Sequence, residues 1–449
     1  MNNLSSASEH SLQMAAEILR SARKVAEQAE VFMVSSRATP IQFEANKLRQ
    51  VQTKERASVA LRIFREGKIG LSTASGGDDL EALLGMAVET SQFGLSANFQ
   101  FPSYKDFSEV SILDPEVEKM AMRKMVEFGE ELITRIRDHA PEILCDVEIT
   151  KGISSVCIIN SQGGEACYGK SFFSFGVEGV QVRDTDMLFV GDSESSCRLP
   201  SGIDILADRV IWQLEMAKEK AAVSTRSLPV IFTPRGVASA LLSPIVMALN
   251  GKTVFEGASP LKDKLGEQVF DKGFSLWDDA TITYSVGSSP CDDEGMPSQR
   301  LPLVINGVVS NFMYDLRTAA SAGTQSTGNG RRAGGSFPMP AISSLILGGG
   351  EVTFEAMVKD VKEGLVIEQL IGADQGNILS GDFGGNVLLG YKIENGRIAG
   401  RVKDTMIAGN VYQVLRELLG IGREAEWVGG ILRAPALYCP RVSVTAKGN

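Results

Sequence analysis

Histidine is almost missing from this chain: among 449 residues there are two, His10 and His139. A catalytic zinc site usually takes three protein ligands, often two imidazoles one helical turn apart, and these two distant residues supply no such pair. A Ser-His-Asp triad is equally hard to assemble from them. His139 follows Asp138 at the end of an expected long helix, where the helix dipole favours it. The six cysteines (Cys145, Cys157, Cys167, Cys197, Cys291 and Cys439) form no CxxC pair. Their scatter predicts reduced, buried thiols in a cytoplasmic protein rather than a disulfide framework. No dense Lys/Arg run offsets a formal net charge of −10, which argues against nucleic acid, because phosphate binding needs a basic face. The greasiest segment, residues 239–249, is too short to span a bilayer. The first thirty residues mix charge with apolar positions, so neither a membrane span nor a signal-peptide core is expected.

What is present is the composition of a folded protein, 43% hydrophobic and 22% charged. The length suits two or three domains, expected at residues 1–105, 106–225 and 226–449. Residues 11–29 have helical apolar spacing, with Leu12, Ala15, Ala16, Leu19, Ala22 and Val25 on one stripe. Strand-like alternation follows at 31–34, 41–51 and 57–64, with a turn at Arg65-Glu66-Gly67-Lys68. Asp78-Asp79 is expected to open a second helix. The pattern then recurs: a helix over 115–138, strands within 146–189, and a helix over 203–220. Helix, antiparallel strands and helix, twice over, predict a duplicated α+β region.

From residue 228 the pattern changes. A strand at 230–233 leads to a helix over 234–249, with Pro234 suited to its first position and Pro244 expected to interrupt it. Short strands at 281–286, 301–305, 387–393 and 434–445, with frequent glycine, predict a mainly β domain with long loops. Asn395-Gly396 reads as a type I′ hairpin turn. Gly348-Gly349-Gly350 and Gly384-Gly385-Asn386 lack the context of a dinucleotide site and read as tight turns.

Two constellations could carry chemistry. Asp292-Asp293-Glu294 before Gly295 suits a hard cation or an arginine partner, and equally a solvated turn. Ser326-Thr327-Gly328-Asn329-Gly330-Arg331-Arg332 exposes backbone N–H groups to a carboxylate, a phosphate or an extended peptide, and its composition fits a surface loop equally well. Cys291, beside Asp292 and Asp293, is a poor nucleophile because adjacent carboxylates disfavour its thiolate.

Together with Pro338-Met339-Pro340, Ser380-Gly381-Asp382-Phe383 and Tyr391-Lys392-Ile393-Glu394-Asn395-Gly396, these stretches resemble the TldD/PmbA family, once called modulators of DNA gyrase and now regarded as zinc metallopeptidases. The likeness covers most of the chain. TldD-type members carry a His-Glu-x-x-x-His helix and a late Cys-Gly-Lys segment, whereas PmbA-type (TldE-type) members lack both. The resemblance sets Ser243, Pro244 and Ala248 at the degenerate positions of that helix, and Cys439 lacks the following Gly-Lys. It therefore implies a PmbA-type subunit without zinc or catalytic residues of its own, paired with a zinc-bearing TldD-type peptidase around flexible peptide substrates. Asp292, Asp293, Glu294, Asn329, Arg331 and Arg332 are its candidate peptide-binding or interface residues. Two other readings stay open: a peptidase using Asp292, Asp293, Glu294 and Cys291 as ligands, and a homodimeric peptide-binding protein.

Overall fold

A computed structural model describes residues 2–446 apart from positions 77, 78, 185, 201, 203, 334, 335 and 374, with side chains from residue 11 onward. Seven strands form the N-terminal sheet: β1 (Gln28–Glu44), β2 (Lys47–Val51), β3 (Lys54–Arg65), β4 (Lys68–Ser75), β5 (Leu144–Asn160), β6 (Glu165–Arg183) and β7 (Asp186–Ser196). All pairings are antiparallel, in the order β4-β3-β1-β5-β6-β7, with β2 beside the far end of β1. The first strands of the two repeats, β1 and β5, lie side by side, so the duplication reads outward from the middle of one shared sheet.

Helices α1 (Asn2–Ala22) and α2 (Leu80–Ser91) belong to the first repeat; α3 (Pro115–Lys119), α4 (Met122–His139) and α5 (Asp204–Met216) belong to the second. Ala15, Ile18, Leu83 and Ala87 pack on Val31, Leu61, Ile63 and Ile159 of the sheet. Met125, Leu132, Val210 and Leu214 join Phe43, Val147 and Val177 in a separate core that reaches Tyr391 and Ile393 of the C-terminal domain. The second helical pair is thus clamped between two sheets.

Several expectations shift on inspection. The first helix ends at Ala22, because the backbone is already paired with β3 from Gln28 onward. The helix expected over 115–138 breaks at Met120, where Lys151 Nζ donates to the carbonyls of Glu118 and Met120 at 2.8 and 2.6 Å. Those two bonds satisfy acceptors that the break leaves free. Asp78 and Ile203 lie outside the described residues, and Asp79 caps α2 through Ala82 N–H. The six cysteines are not all free. Cys157 and Cys167 face each other across β5 and β6 and are joined as a disulfide, while the other four are buried thiols.

The C-terminal strands are β8 (Arg226–Phe232), β9 (Leu276–Asp279), β10 (Arg300–Ile305), β11 (Val308–Val309), β12 (Gly330–Arg331), β13 (Met339–Pro340), β14 (Leu345–Leu347), β15 (Glu363–Ile371), β16 (Asp382–Glu394), β17 (Arg397–Arg401), β18 (Thr405–Asn410), β19 (Gly420–Val428) and β20 (Leu432–Ala446). The long β20 pairs with both β18 and β8, so β8-β15-β16-β18-β20 closes into a ring. Phe232, Ile367, Phe383, Ile407 and Leu437 fill the inside, while alternate residues such as Ile231 and Val366 pack outward on the α4–α5 core. Burial on both faces explains the continuous apolar runs of these strands. Residues 281–286 are turns rather than a strand: Asp279 accepts from Thr281 N–H and Oγ1, and Tyr284 has φ +59°. Gly384-Gly385-Asn386 is not a turn but lies within β16, paired with Met406–Ala408 of β18. Asn395-Gly396 does join β16 to β17, both residues having positive φ. Among the described residues, no helix is long and apolar enough to cross a membrane.

Candidate functional site

The helix expected over 234–249 is two short helices, α6 (Pro234–Ala240) and α7 (Leu242–Ala248), broken at Leu241. Thr233 caps the first, with Pro234 opening it, and Pro244 sits in the first turn of the second, where a missing N–H costs little. Val237, Ala240, Leu241 and Ile245 pack into the core of the ring. The rest of α6 faces a cavity of about 1020 Å³ between the N-terminal sheet and the C-terminal domain. Arg235, Ala238 and Ser239 form one wall, and Glu44, Glu148 and Glu178 line the sheet side. Arg235 Nη2 reaches Gln369 Oε1 at 3.3 Å, and its Nη1 stands 3.8 Å from Asp192 without a hydrogen-bond acceptor. Glu368, buried at a bulge of β15 beside Arg235, is pushed up to about 7 by burial.

Ser243 is exposed, while Pro244 and Ala248 are buried. None of the three carries an imidazole, carboxylate or thiolate, so this helix does not fit a zinc ion. Cys439 is enclosed in the ring opposite Val230, its thiol pushed up to about 12 by burial.

The motif loops form a separate cluster against the N-terminal sheet. Asp292 is fully buried and accepts from the N–H groups of Glu294 and Met296 at 2.9 Å and of Gly330 at 2.8 Å. Burial, with Glu294 nearby, raises its pKa, and those three donors work against the rise. Asp293 accepts from Arg332 N–H at 2.7 Å and donates its own N–H to the Gly330 carbonyl. Glu294 accepts from Leu316 N–H at 2.7 Å and from Arg62 Nη1 at 2.8 Å. Arg62 also holds Glu30 at 2.9 Å and lies 4.9 Å from the ring centre of Phe101. Burial opposes the Arg62 charge, but Glu30 and Glu294 more than offset it. The Arg332 guanidinium meets the other oxygen of Glu30 and lies over Phe32. Gly330 has no side chain because a Cβ there would stand 2.5 Å from Glu294 Oε2.

Asn329 joins the same cluster on its far side. Its Nδ2 donates to Asp278 at 2.7 Å and its Oδ1 accepts from Thr327 at 2.7 Å. Asp278 is pushed up to about 6 by burial, despite accepting from Ser343 and Ser344 N–H. Arg331 donates to Ser289 and Ser343, with Asp293 3.7 Å away. Met339–Pro340 pairs with Gly330–Arg331, adding the Pro-Met-Pro segment. Cys291 is buried among Phe32, Ala60 and Ile158, and burial with Asp292 pushes its thiol far up.

The six motif residues therefore come together, with most of their hydrogen-bonding groups directed inward. Their main partners across the junction, Glu30 and Arg62, were not found by sequence reading. The available signal was a charge inside each of two apolar strand runs, Val-Ala-Leu-Arg-Ile-Phe and Ala-Glu-Val-Phe, which calls for a buried partner. The Ser-Gly-Asp-Phe segment lies elsewhere, beside α7: Asn410 Nδ2 donates to both Ser380 O and Asp382 Oδ1 at 2.9 Å.

Comparison with known proteins agrees with this architecture. Residues 225–446 match the family profile described as PmbA/TldA metallopeptidase C-terminal domain, and residues 29–91 match PmbA/TldA metallopeptidase domain 1. An uncharacterized protein of Methanocaldococcus jannaschii is 26% identical over 413 residues, 90% of this chain and 93% of its own length. The metalloprotease PmbA of Escherichia coli is 30% identical over 239 residues, 53% of this chain and 49% of its own. The crystal structure of TldE from Thermococcus kodakarensis superposes with a TM-score of 0.88 at 20% identity, covering 96% of this chain and all of that one. A structure from Thermotoga maritima described as a putative modulator of a DNA gyrase gives 0.85 at 22% identity, covering 96% and 99%. With both family domains matched in order and the fold shared end to end, this chain belongs to the PmbA/TldD family of metallopeptidase-like proteins.

Proposed function

We propose that this chain is a PmbA/TldE-type subunit, catalytically silent by itself, that joins a zinc-bearing TldD-type peptidase and helps enclose flexible peptides for cleavage by that partner. The observation that carries this reading is the α6–α7 pair. Its first helix lines the inter-domain cavity of about 1020 Å³, and its second carries serine, proline and alanine at Ser243, Pro244 and Ala248, the positions that the resemblance assigns to the zinc motif. Without imidazoles or a general base, that position supplies neither a metal anchor nor a proton acceptor for water. The reading with Asp292, Asp293, Glu294 and Cys291 as metal ligands is disfavoured by their surroundings, since the carboxylates already receive backbone N–H groups and a guanidinium, and burial disfavours the thiolate.

The chain's own contribution is then shape and polarity. Its cavity offers polar walls, with Arg235, Gln369 and Ser239 opposite a carboxylate-bearing sheet face, which suits an extended peptide with little sequence preference. The same reading places the protein in the cytoplasm with its partner.

Native mass spectrometry of the tagged chain purified from its own cells tests this. The expected result is a complex whose added mass is one zinc-loaded subunit, with peptidase activity that a chelator abolishes. A metal-free homodimer without a partner would favour a peptide-binding protein. Stoichiometric zinc on this chain, with chelator-sensitive cleavage by it alone, would overturn the proposal.

A further inference from the structure

A second cavity, of about 420 Å³, opens at the junction of the two halves, between the ends of α4 and α5, the β6–β7 turn and β17. Arg183, Lys218, Lys220 and Arg401 line it, against Glu142 and Asp186. Part of this positive charge has an ordinary explanation. Lys218 and His139 share Glu215 at 2.5 and 2.6 Å.

The remaining cations outnumber their acceptors. Asp186 alone meets Lys220 at 2.8 Å, Lys403 at 3.2 Å and the guanidinium of Arg401. Although burial works the other way, these cations hold its carboxyl well below the usual range. Arg183 forms no ion pair among the described residues. The Arg401 side chain is 4% exposed; Nη1 donates to Met187 O at 3.0 Å, and Nε has no acceptor. A buried donor left without an acceptor is unfavourable.

The cluster is also held rigidly. The inter-domain linker is locked to β17 by Ala221 N–H on Arg401 O at 2.9 Å and Arg401 N–H on Glu219 O at 2.8 Å. Gly400, at φ +151°, permits this approach, since a Cβ there would lie 2.6 Å from Glu219 O.

We propose that this junction cavity binds an oxyanion, the phosphate or carboxylate group of a small molecule or of a peptide terminus, through Arg183, Lys220 and Arg401, with Lys403 beside the lining on the shared Asp186. Charge-assisted N–H bonds to such a group neutralise the excess cations that Asp186 leaves unpaired. The volume suits a small ligand. At a net charge of −10 the chain as a whole gives anions no long-range attraction, so binding here rests on the local cluster of cations. Because Arg183 comes from the N-terminal sheet and Arg401 and Lys403 from the C-terminal domain, a bound anion bridges the halves and stabilises their junction.

The test is calorimetric titration and thermal unfolding of the full chain at constant ionic strength. The probes are inorganic phosphate, sodium chloride, and a capped tripeptide with either a free or an amidated C-terminus. Saturable binding of phosphate or of the free-carboxylate peptide is expected, with a rise in melting temperature; chloride and the amidated peptide should give none. Tighter binding of phosphate points to a free phosphorylated molecule, and tighter binding of the carboxylate peptide points to a peptide terminus. Lys220→Gln/Lys403→Gln changes two partly exposed side chains and should weaken binding at least about tenfold; Arg183→Gln, at the opposite wall, gives an independent check. Absence of saturable binding by both anions overturns the proposal, as does undiminished binding by folded variants at both positions.

Discussion

The cluster around Arg62 and the wall of the α6 cavity use the same charged residue types in opposite ways. Around Arg62, two buried carboxylates and two guanidinium groups pair with one another between the N-terminal sheet and the motif loops, leaving Arg62 Nε as a donor without an acceptor. Along the cavity, Glu44, Glu148 and Glu178 stand on an open sheet face, and Arg235 keeps a donor without an acceptor. The charged motifs thus hold the halves in register, whereas the less distinctive residues of α6 and the sheet face the open cavity. A charge-rich motif is here a fastener first.

The comparison breaks most visibly at Arg62. Arg62→Met should destabilise the protein by about 3–5 kcal/mol, because buried Glu294 loses its cation and buried Glu30 keeps only Arg332. Adding Glu30→Gln and Glu294→Gln should recover part of the loss in equilibrium denaturation. If the single variant is as stable as the parent, the fastener reading fails.

Glu368 tests the cavity side. Its folded pKa of about 7 exceeds the ordinary value of 4.5. Its stabilising contribution is therefore full below about pH 4.5 and is lost as pH rises to about 7, amounting to about 3 kcal/mol. Glu368→Gln should flatten that part of the stability–pH curve, and an unchanged slope would assign it to other groups.

Gly330→Ala should cost about 1–3 kcal/mol, since Glu294 is held by Arg62 and Leu316 and cannot move aside for a new Cβ. Thermal unfolding of this variant alone and with Glu294→Ala separates the clash from any backbone effect. The smallest change is expected at the partly exposed pair of Arg37 and Glu118, 2.8 Å apart. Arg37→Ala should cost no more than about 1 kcal/mol, and a larger loss would place that pair among the fasteners.

Much of the architecture was legible beforehand because it rests on local periodicity. The repeated helix–strand–helix pattern, the turn at Glu66-Gly67, the helix start at Pro234 and the hairpin at Asn395-Gly396 all follow from backbone preferences within a few residues. The missed features depend on distant partners. The break at Met120 is satisfied by Lys151, and Cys157 meets Cys167 because β5 and β6 are paired in that register. The apolar run at 281–286 is turned by Asp279, and Gly384–Asn386 is straightened by β18. The motif residues were found as a set, but their environment was not, since Glu30 and Arg62 lie more than two hundred positions away from Glu294.

By itself the sequence determined that this chain has no imidazole pair to offer a metal, that its first half is a repeat and its second half mainly β, and that the helix opened by Pro234 does not run unbroken to residue 249. These are matters of composition and short-range geometry. Tertiary structure alone decided that β20 closes a ring, that the acidic and arginine motifs neutralise each other in the interior, and that the cations near Asp186 outnumber their acceptors. Burial and charge pairing depend on which distant surfaces meet, and only the folded chain brings those surfaces together.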